Sequence, residues 1–288
     1  MSIDGSGTER ARCVLAPNPS PMTLDGTNTW VIAEPGSTAA LVVDPGPQDE
    51  GHLRRVLDAA RAGDRRVALI VLTHGHHDHS AGAARFAAMT GAPVMALDPA
   101  HRLGSAGLAA GDVLTAAGCE LRVVGTPGHS ADSVSLLLEA DSALLTGDTV
   151  LGRGTTVIGQ DGALADYLRT LGDEIRAAGG RVIEIPGDVG NLAQITAGFA
   201  TIRKELGDPE VLLYNAGAGT WGNITEITAE QYEATWRVNG FGAFICAKEV
   251  APAMIARGHG VMLFTGATAG VKAGPRSAAF GPAKLKSI

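Results

Sequence analysis

The chain has 288 residues, of which 45% are hydrophobic and 18% charged, so it can bury one large core or two ordinary ones. Its formal net charge of −7 leaves no basic footprint for a nucleic-acid backbone, so we expect no duplex DNA partner. The three cysteines, Cys13, Cys119 and Cys246, show no paired spacing, so neither a disulfide framework nor a cysteine zinc cluster is expected.

No targeting or membrane segment is visible in the sequence. The N-terminal stretch MSIDGSGTERARCVLAPNPS lacks the apolar region of a secretory signal. No run of about 18 uncharged apolar residues exists to span a membrane. We therefore expect a cytoplasmic protein with reduced thiols and no membrane partner, and the oligomeric state stays open.

The front of the chain is predicted to consist of short strands that end in Pro/Gly turns. The apolar run VALIVLT, residues 67–73, is typical of a strand buried on both faces. A helix is predicted in SAGAARFAAMTGA and another over residues 163–180. The further strands are predicted in TWVIAEPG, AALVVDPGP, PVMALDP, ELRVVGTPGHS, DSVSLLLEA and SALLTGDTVL.

After residue 180 the pattern changes to alternating strands and helices. RVIEIPGDV, EVLLYNAG and GVMLFTGAT are predicted strands. A helix in NLAQITAGFATIRKELG separates the first two strands, and a longer helix over residues 228–258, with a proline late in it, separates the last two. This alternation is typical of a parallel, doubly wound sheet.

The densest group of metal-ligand residue types lies in THGHHDHSAG, residues 73–82. His74, His76, Asp78 and His79 are predicted to lie in a loop between a buried strand and a helix. Imidazole and carboxylate are ligands that zinc prefers, and a turn lets residues two to five positions apart converge on it. The spacing offers His74 and His76 to one ion and Asp78 and His79 to another. His77, His52 and His101 are predicted to be solvated.

This group is one of five ordered motifs that resemble the metallo-β-lactamase superfamily, specifically its branch of lactamase-like hydrolases and endoribonucleases. The motifs run over residues 12–172. They are TLDGTNTW, VVDPG, THGHHDHSAG, TPGHSADSVSLLL and LLTGDTVLGRGTTVI. The resemblance implies an αββα sandwich that binds one or two zinc ions. It also implies that His74, His76 and His129 bind the first zinc and that Asp78 and His79 bind the second.

The resemblance further implies that Asp148 bridges the two ions. A hydroxide held between them would attack an ester, thioester, lactam or phosphodiester, with Asp78 orienting it as the catalytic residue. The substrate would be a small molecule or RNA. For Asp44 two interpretations stay open: it could hold a ligand histidine from behind, or be an ordinary turn residue before Pro-Gly.

The chain departs from this family where the last metal ligand belongs. The family has a histidine in a PGHG-like turn there, whereas this chain has IPGDVG, with Asp188 at the histidine position. The only later histidine, His259, is interpreted as a loop residue. A carboxylate is a legitimate zinc ligand, so whether Asp188 completes the second site stays open.

From about residue 168 to residue 288 the chain resembles the short-chain dehydrogenase/reductase family. The matching stretches are EIRAAGGRVIEIPGDV, PEVLLYNAGAG, WRVNGFGAFICAKEV, GVMLFTGATAG and FGPAK. Carried over, the family's functional positions are Asp188, Asn215, Ala216, Gly217, Asn239 and Lys284. Phe280 and Ala267 stand where that family has its catalytic Tyr and Ser, and phenylalanine has no proton to give.

The Gly-rich phosphate loop of that family is also absent, so NAD(P) binding is not expected and no cofactor-binding residue is assigned. In a sheet ordered 3-2-1-4-5, the RVIEIPGDV strand does not neighbour the EVLLYNAG strand, and the strands between them are missing. The sequence therefore predicts an incomplete Rossmann-like αβα fragment. Its first strand could join the hydrolase sheet, leaving a two-stranded parallel unit.

The sequence thus predicts a mixed α/β chain with a metallo-β-lactamase-like domain at 1–180 and a truncated dehydrogenase-like segment at 181–288. The leading hypothesis is a zinc-dependent hydrolase. Two others stay open: an inactive fusion of the two parts, and an NAD(P)-dependent short-chain oxidoreductase.

Overall fold

The computed structural model describes residues 8–20, 22–152, 156–159, 161–271, 274 and 276–284. The last motif of the hydrolase series therefore lies partly outside the described residues, at 153–155, as does the end of the dehydrogenase-like segment. The chain divides into two compact units, residues 1–180 and 181–288.

The first unit contains a mixed sheet in which chain order and spatial order agree. The first strand pairs antiparallel with the second and the second antiparallel with the third, whereas the third, fourth and fifth strands pair parallel. The strands are β1 (Ala11–Leu15), β2 (Asn28–Ile32), β3 (Ala39–Val43), β4 (Arg66–Val71) and β5 (Val94–Met95). The apolar run predicted as a doubly covered strand is confirmed, because Ile70, Val71 and Leu72 are successively buried.

The second sheet of this unit is a four-stranded antiparallel meander. Its strands are β6 (Val113–Ala116), β7 (Cys119–Gly125), β8 (Val134–Leu138) and β9 (Ala143–Leu145). Residues of both sheets, such as Leu41 of β3 and Leu136 of β8, belong to one buried apolar cluster. The two sheets therefore share a core, as the two central layers of the predicted sandwich require.

The described residues of the first unit also form four α-helices: α1 (Glu50–Arg61), α2 (His77–Ser80), α3 (Ala83–Thr90) and α4 (Leu164–Ala177). The Asp49 side chain caps α1 by accepting from the His52 N–H at 2.6 Å. Helix α3 ends at Gly91, whose φ of +73° permits the left-handed cap. The one-turn helix α2 is a difference from the sequence prediction, which treated residues 74–79 as loop.

The second unit is built from α5 (Leu192–Leu206), β10 (Val211–Tyr214), α6 (Ala229–Trp236), α7 (Gly242–Arg257), β11 (Val261–Phe264) and α8 (Phe280–Ala283). A π-helical turn, Arg237–Phe241, joins α6 to α7 without a break. Strands β10 and β11 form a two-stranded parallel sheet. Helices α5 and α7 bury Phe199, Val250 and Met254 with Tyr214 of β10.

The prediction of a strand in RVIEIPGDV is wrong, because residues 181–188 form no strand. This segment joins neither sheet of the first unit. The physical reason is pairing: a strand is stabilised by a hydrogen-bonded neighbour, and the strands that would flank this one are missing from the chain. The two-stranded parallel unit predicted for the remainder is confirmed.

The mixed α/β fold class is also confirmed. Among the described residues, no helix combines the length and apolar character needed to cross a membrane.

We expect Leu41→Ala to lower the free energy of unfolding of the first unit by about 2–5 kcal/mol, because the fully buried side chain would leave a cavity. Leu144→Ala is the matched control: this β9 leucine is 44% exposed, and its loss should cost about 0.5–1 kcal/mol. Hydrogen exchange of peptides from β2 to β4, followed at increasing denaturant, would give the free energy of unfolding of the first unit in both variants. Equal losses would contradict the position of Leu41 in the core.

Candidate metal centre

Four histidines and two aspartates of the first unit lie at the ends of strands β4, β7 and β9. His74 and His76 follow β4, and the turn of α2 carries Asp78 and His79. His129 lies in the loop after β7, and Asp148 lies in the loop after β9. Because β4 belongs to one sheet and β7 and β9 to the other, the shared core brings these strand ends together. Five of these six residues form two groups whose ligand atoms lie within 4.8 Å of one another: His74, His76 and His129, and His74, His79 and Asp148. Asp78 belongs to neither group and lies beside the second, with its Oδ2 3.4 Å from His79 Nε2.

The first group is a triangle of imidazole nitrogens. His76 Nδ1 lies 3.0 Å from His74 Nε2 and 2.9 Å from His129 Nε2, and the last two atoms are 3.3 Å apart. Three nitrogens of a tetrahedral zinc site, with zinc–nitrogen bonds of about 2.0–2.1 Å, are about 3.3 Å apart. The three nitrogens are therefore spaced closely enough to bind one tetrahedrally coordinated zinc ion.

The other ring nitrogen of each of these histidines is held by an oxygen. His76 Nε2 lies 2.8 Å from Asp161 Oδ2, and His129 Nδ1 contacts the Val157 carbonyl oxygen. His74 Nδ1 lies 3.1 Å from Thr73 Oγ1. That hydroxyl gives its one hydrogen to a carboxylate, so it must accept from His74. With the hydrogen on the outer nitrogen of each ring, the inner nitrogen is left to present a lone pair, as a metal ligand must.

The second group surrounds a buried nitrogen that lacks a hydrogen-bond partner among the described residues. This atom, His79 Nε2, lies 3.4 Å from Asp148 Oδ1 and 3.4 Å from Asp78 Oδ2. Asp148 Oδ2 also lies 3.7 Å from His129 Nε2, so this carboxylate stands between the two groups. A buried polar atom without a partner is costly, and a bound cation would remove that cost.

Asp44 supports both groups from behind. Its Oδ2 accepts from His79 Nδ1 at 2.9 Å and from Thr73 Oγ1 at 2.7 Å, and its Oδ1 accepts from the Thr73 N–H at 2.8 Å. Of the two interpretations left open by the sequence, the structure favours a residue that holds a ligand histidine. Asp44 has a φ of +50°, a left-handed conformation that aspartate tolerates better than most residues.

The electrostatics of the centre favour a cation beside neutral imidazole. Burial, with His79 nearby, lowers the pKa of His74 to about 2, so this ring is neutral at physiological pH. Burial alone would lower the pKa of His79, but the carboxylates of Asp44 and Asp148 outweigh it and raise that pKa well above its usual value. Burial opposes ionisation of Asp148, yet His79 lowers its pKa to about 2. The position at His79 Nε2 thus attracts positive charge.

Several supporting residues were not predicted from the sequence. Asp161, which holds His76, follows it by 85 positions, and no local pattern connects the two. Thr27 donates to Asp78 Oδ2 at 2.7 Å from within the GTNTW motif. The prediction that His52 is solvated is wrong, because its side chain is 0% exposed. His52 lies on the buried face of α1. A single histidine among polar residues near the start of a helix gives no sequence signal of that burial.

The residues carried over from the dehydrogenase resemblance lie in the second unit. Asp188 Oδ1 accepts from the Gly190 N–H at 2.7 Å. Lys284 Nζ donates to the carbonyl oxygens of Ala216 and Thr265, at 3.3 and 3.2 Å. Phe280 packs on Trp221, with ring centroids 4.9 Å apart.

The buried amide of Asn239, in the π-helical turn, donates to the carbonyl oxygens of Ala218 and Thr235, at 2.6 and 2.8 Å. His259 is exposed in a loop, as predicted.

Two family models match overlapping parts of the chain. Residues 22–183 match the model described as the metallo-beta-lactamase superfamily, and residues 146–286 match the one described as short chain dehydrogenase. Both matches include residues 146–183.

Curated relatives match the front of the chain. A lactamase-like protein of Emericella nidulans, aptB, is 35% identical over 47% of this chain and 43% of its own length. A thioesterase of the same organism, pkgB, is 35% identical over 44% of this chain and 37% of its own length. An atrochrysone carboxyl ACP thioesterase of Aspergillus fumigatus is 33% identical over 44% and 41%. The chain spans less than half the length of these relatives.

A solved structure supports the fold. A metallo-beta-lactamase family protein of Thermus thermophilus superposes with a TM-score of 0.50 at 23% identity, covering 60% of this chain and 72% of that chain.

We expect Gly147→Ala to destabilise the first unit by about 2–4 kcal/mol, since a left-handed alanine is strained and a crowded site resists added atoms. Gly147 has a φ of +52°, and a methyl group there would lie 2.6 Å from Thr73 Oγ1, the atom that holds His74. Gly152→Ala is the control, because nothing lies within 4 Å of its added methyl group. Chemical denaturation of both variants measures the difference, and equal stability would contradict the close approach of Gly147 to Thr73.

Proposed function

The chain belongs to the metallo-beta-lactamase superfamily, and from that premise we propose that residues 1–180 form a zinc-dependent hydrolase that cleaves thioesters. Residues 181–288 are, in this proposal, a non-catalytic remnant of a dehydrogenase-like domain. The observation that carries it is the set of inward histidine nitrogens, each freed for a metal by an oxygen acceptor on the opposite side of its ring. The residues present therefore fit a metal ion.

In this proposal His74, His76 and His129 would hold the first zinc and His79 and Asp78 the second, and Asp148, which lies between the two groups, would be a ligand to both. The choice of zinc follows from donor chemistry, since imidazole and carboxylate suit it. Zinc bound there supplies a strong electrophile that acidifies water and polarises the carbonyl of a thioester.

The chain's own residues supply orientation. Thr27 donates to Asp78 Oδ2 at 2.7 Å, which fixes the orientation of that carboxylate, and Asp78 would in turn orient the water that attacks the substrate. The side chains of Asp78, Asp148 and His76 are 30, 28 and 34% exposed, so a substrate can reach the centre from solvent. His74 and His79 lie behind them and are buried.

A thioester is the preferred substrate because two of the curated relatives are named as thioesterases. A thioester carbonyl needs no basic surface for recognition, which agrees with the net charge of −7. Lactam, ester and phosphodiester substrates, RNA among them, are the alternatives that the same centre could attack.

We expect His76→Ala to abolish zinc binding at the first site and to reduce thioester hydrolysis more than about 100-fold, since losing a group that merely supports a ligand already costs about 10–100-fold. The measurements are zinc per chain by elemental analysis and thiol release from an acyl thioester, with lactam, ester and phosphodiester substrates assayed in parallel. His77→Ala removes the neighbouring imidazole, which is not fully buried, and should change neither value. Lys284→Ala should also change neither. Undiminished hydrolysis in His76→Ala would refute the assignment.

We expect Asp188→Ala to bind the same number of zinc ions per chain as the wild type. Asp188 is engaged locally, since its Oδ1 accepts from Gly190 and its N–H donates to Gln194 Oε1, both at 2.7 Å. Equilibrium dialysis against zinc measures the stoichiometry, and His79→Ala serves as the comparison that should lose the second ion. Loss of one ion on changing Asp188 would instead make this carboxylate the missing ligand.

A further inference from the structure

His52 is a histidine in an unexpected environment. It lies on α1 with its side chain 0% exposed, among the largest fully buried side chains of the described residues. A buried imidazole is costly unless its nitrogens are hydrogen-bonded, and an apolar side chain would fill the same space without that cost. The hydrogen-bond partners of His52 must therefore explain why an imidazole occupies this position.

The His52 ring hydrogen-bonds the backbone of Pro45, and its Nε2 also lies 2.9 Å from the hydroxyl of Thr29. That hydroxyl also lies 2.6 Å from the Asp44 carbonyl oxygen, which can only accept. Because a hydroxyl has one hydrogen, Thr29 donates to Asp44 and accepts from His52. His52 is therefore the first donor in a chain of hydrogen bonds that ends on the backbone of Asp44.

The imidazole also supports the turn that follows Asp44. Gly46 has a φ of +88°, and a methyl group on it would lie 2.9 Å from His52 Nε2 and 3.4 Å from Thr29 Oγ1. The turn of residues 44–46, with left-handed backbone at Asp44 and Gly46, thus packs directly on His52 and Thr29.

The same turn holds His79 at two points. Asp44 Oδ2 accepts from His79 Nδ1 at 2.9 Å, and the Gly46 N–H donates to the His79 carbonyl oxygen at 3.1 Å. The Gly46 carbonyl oxygen in turn accepts from the Gly82 N–H at 2.9 Å, at the start of α3. The direction in which His79 Nε2 points is therefore set by the turn.

We propose that His52 is a positioning residue that, through Thr29 and the turn of residues 44–46, fixes the orientation of His79 toward a metal at the second group. This inference rests on the proposed function only in requiring that a metal binds at His79. It assigns His52 no contact with metal or substrate.

His52 is suited to be a constant donor. Burial, aided by the charge of Arg55, lowers its pKa to about 4, so the ring stays neutral at physiological pH.

The test compares full-length His52→Leu and His52→Gln for binding of Co²⁺ as the probe metal. Leucine fills the space without a donor, whereas glutamine restores an N–H that can reach Thr29. Val56→Ala is the matched control, because it removes fully buried volume from the same helix without touching the turn. The readouts are the affinities for the first and second equivalents of Co²⁺ and the visible absorption spectrum of the second.

We expect His52→Leu to weaken the second equivalent about tenfold, the lower end of the range of about 10–100-fold for partners behind a ligand, and to alter its spectrum. The first equivalent should be unchanged, and His52→Gln should return the second to within about threefold of wild type. Val56→Ala should lower stability while leaving both affinities and the spectrum intact.

Equal loss in His52→Leu and Val56→Ala, or no rescue by glutamine, would overturn the inference and leave His52 a core residue. If wild type bound no Co²⁺, the proposed function itself would fail, which is a distinct result. Should His52→Leu not fold, Thr29→Val and Thr29→Ser decide the question: loss of the hydroxyl should weaken the second equivalent, and serine should retain it.

Discussion

The candidate centre depends on one buried anion, the carboxylate of Asp44. It is 2% exposed and accepts three hydrogen bonds, from the N–H and hydroxyl of Thr73 and from His79. A buried carboxylate is tolerated only when hydrogen-bonded in this way, so the end of β3, the end of β4 and the helix α2 are locked together by its requirement for donors. Asp44 orients His79 by a direct hydrogen bond, and it orients His74 indirectly, through the hydroxyl of Thr73.

The histidines of the candidate centre share one arrangement of their ring nitrogens. An oxygen acceptor on the outer side of an imidazole holds the hydrogen of the outer nitrogen, so that the inner nitrogen faces the cluster. Asp44, Thr73, Asp161 and the Val157 carbonyl oxygen supply the four outer acceptors. These acceptors differ in chemical type and come from distant parts of the chain. What the four histidines share is therefore an oxygen acceptor behind the ring and not a common position in the fold.

The ligand types and the strand-end position of residues 74–79 were predictable because they lie close together in one motif. The supports were not: Asp161 and Thr27 reach the centre only through the fold, and the burial of His52 depends on which face of α1 meets the sheet. The strand predicted at 181–189 failed for a related reason. Its apolar pattern is a local property, whereas a strand also needs a hydrogen-bonded neighbour, and no strand among the described residues pairs with this segment.

The contacts of α4 show which of the two units this helix belongs to. Both family models include residues 146–183, so sequence similarity alone assigns this helix twice. Within the first unit, Thr170 donates to the Pro127 carbonyl oxygen and Tyr167 to that of Thr149, each at 3.0 Å, and these acceptors flank His129 and Asp148. The helix therefore supports the loops of the candidate centre and belongs to the hydrolase part.

The RVIEIPGDV segment that follows α4 forms no strand of a dehydrogenase-like sheet. It also lacks the histidine that the metallo-β-lactamase pattern has at this position. Its Asp188 instead closes a local turn with Gly190, and a carboxylate that already accepts a backbone N–H there has less need of a cation. Within the first unit, the second group contains a carboxylate of its own, Asp148. Asp148 and Asp78, each 3.4 Å from the buried His79 nitrogen, are the carboxylates in reach of that position.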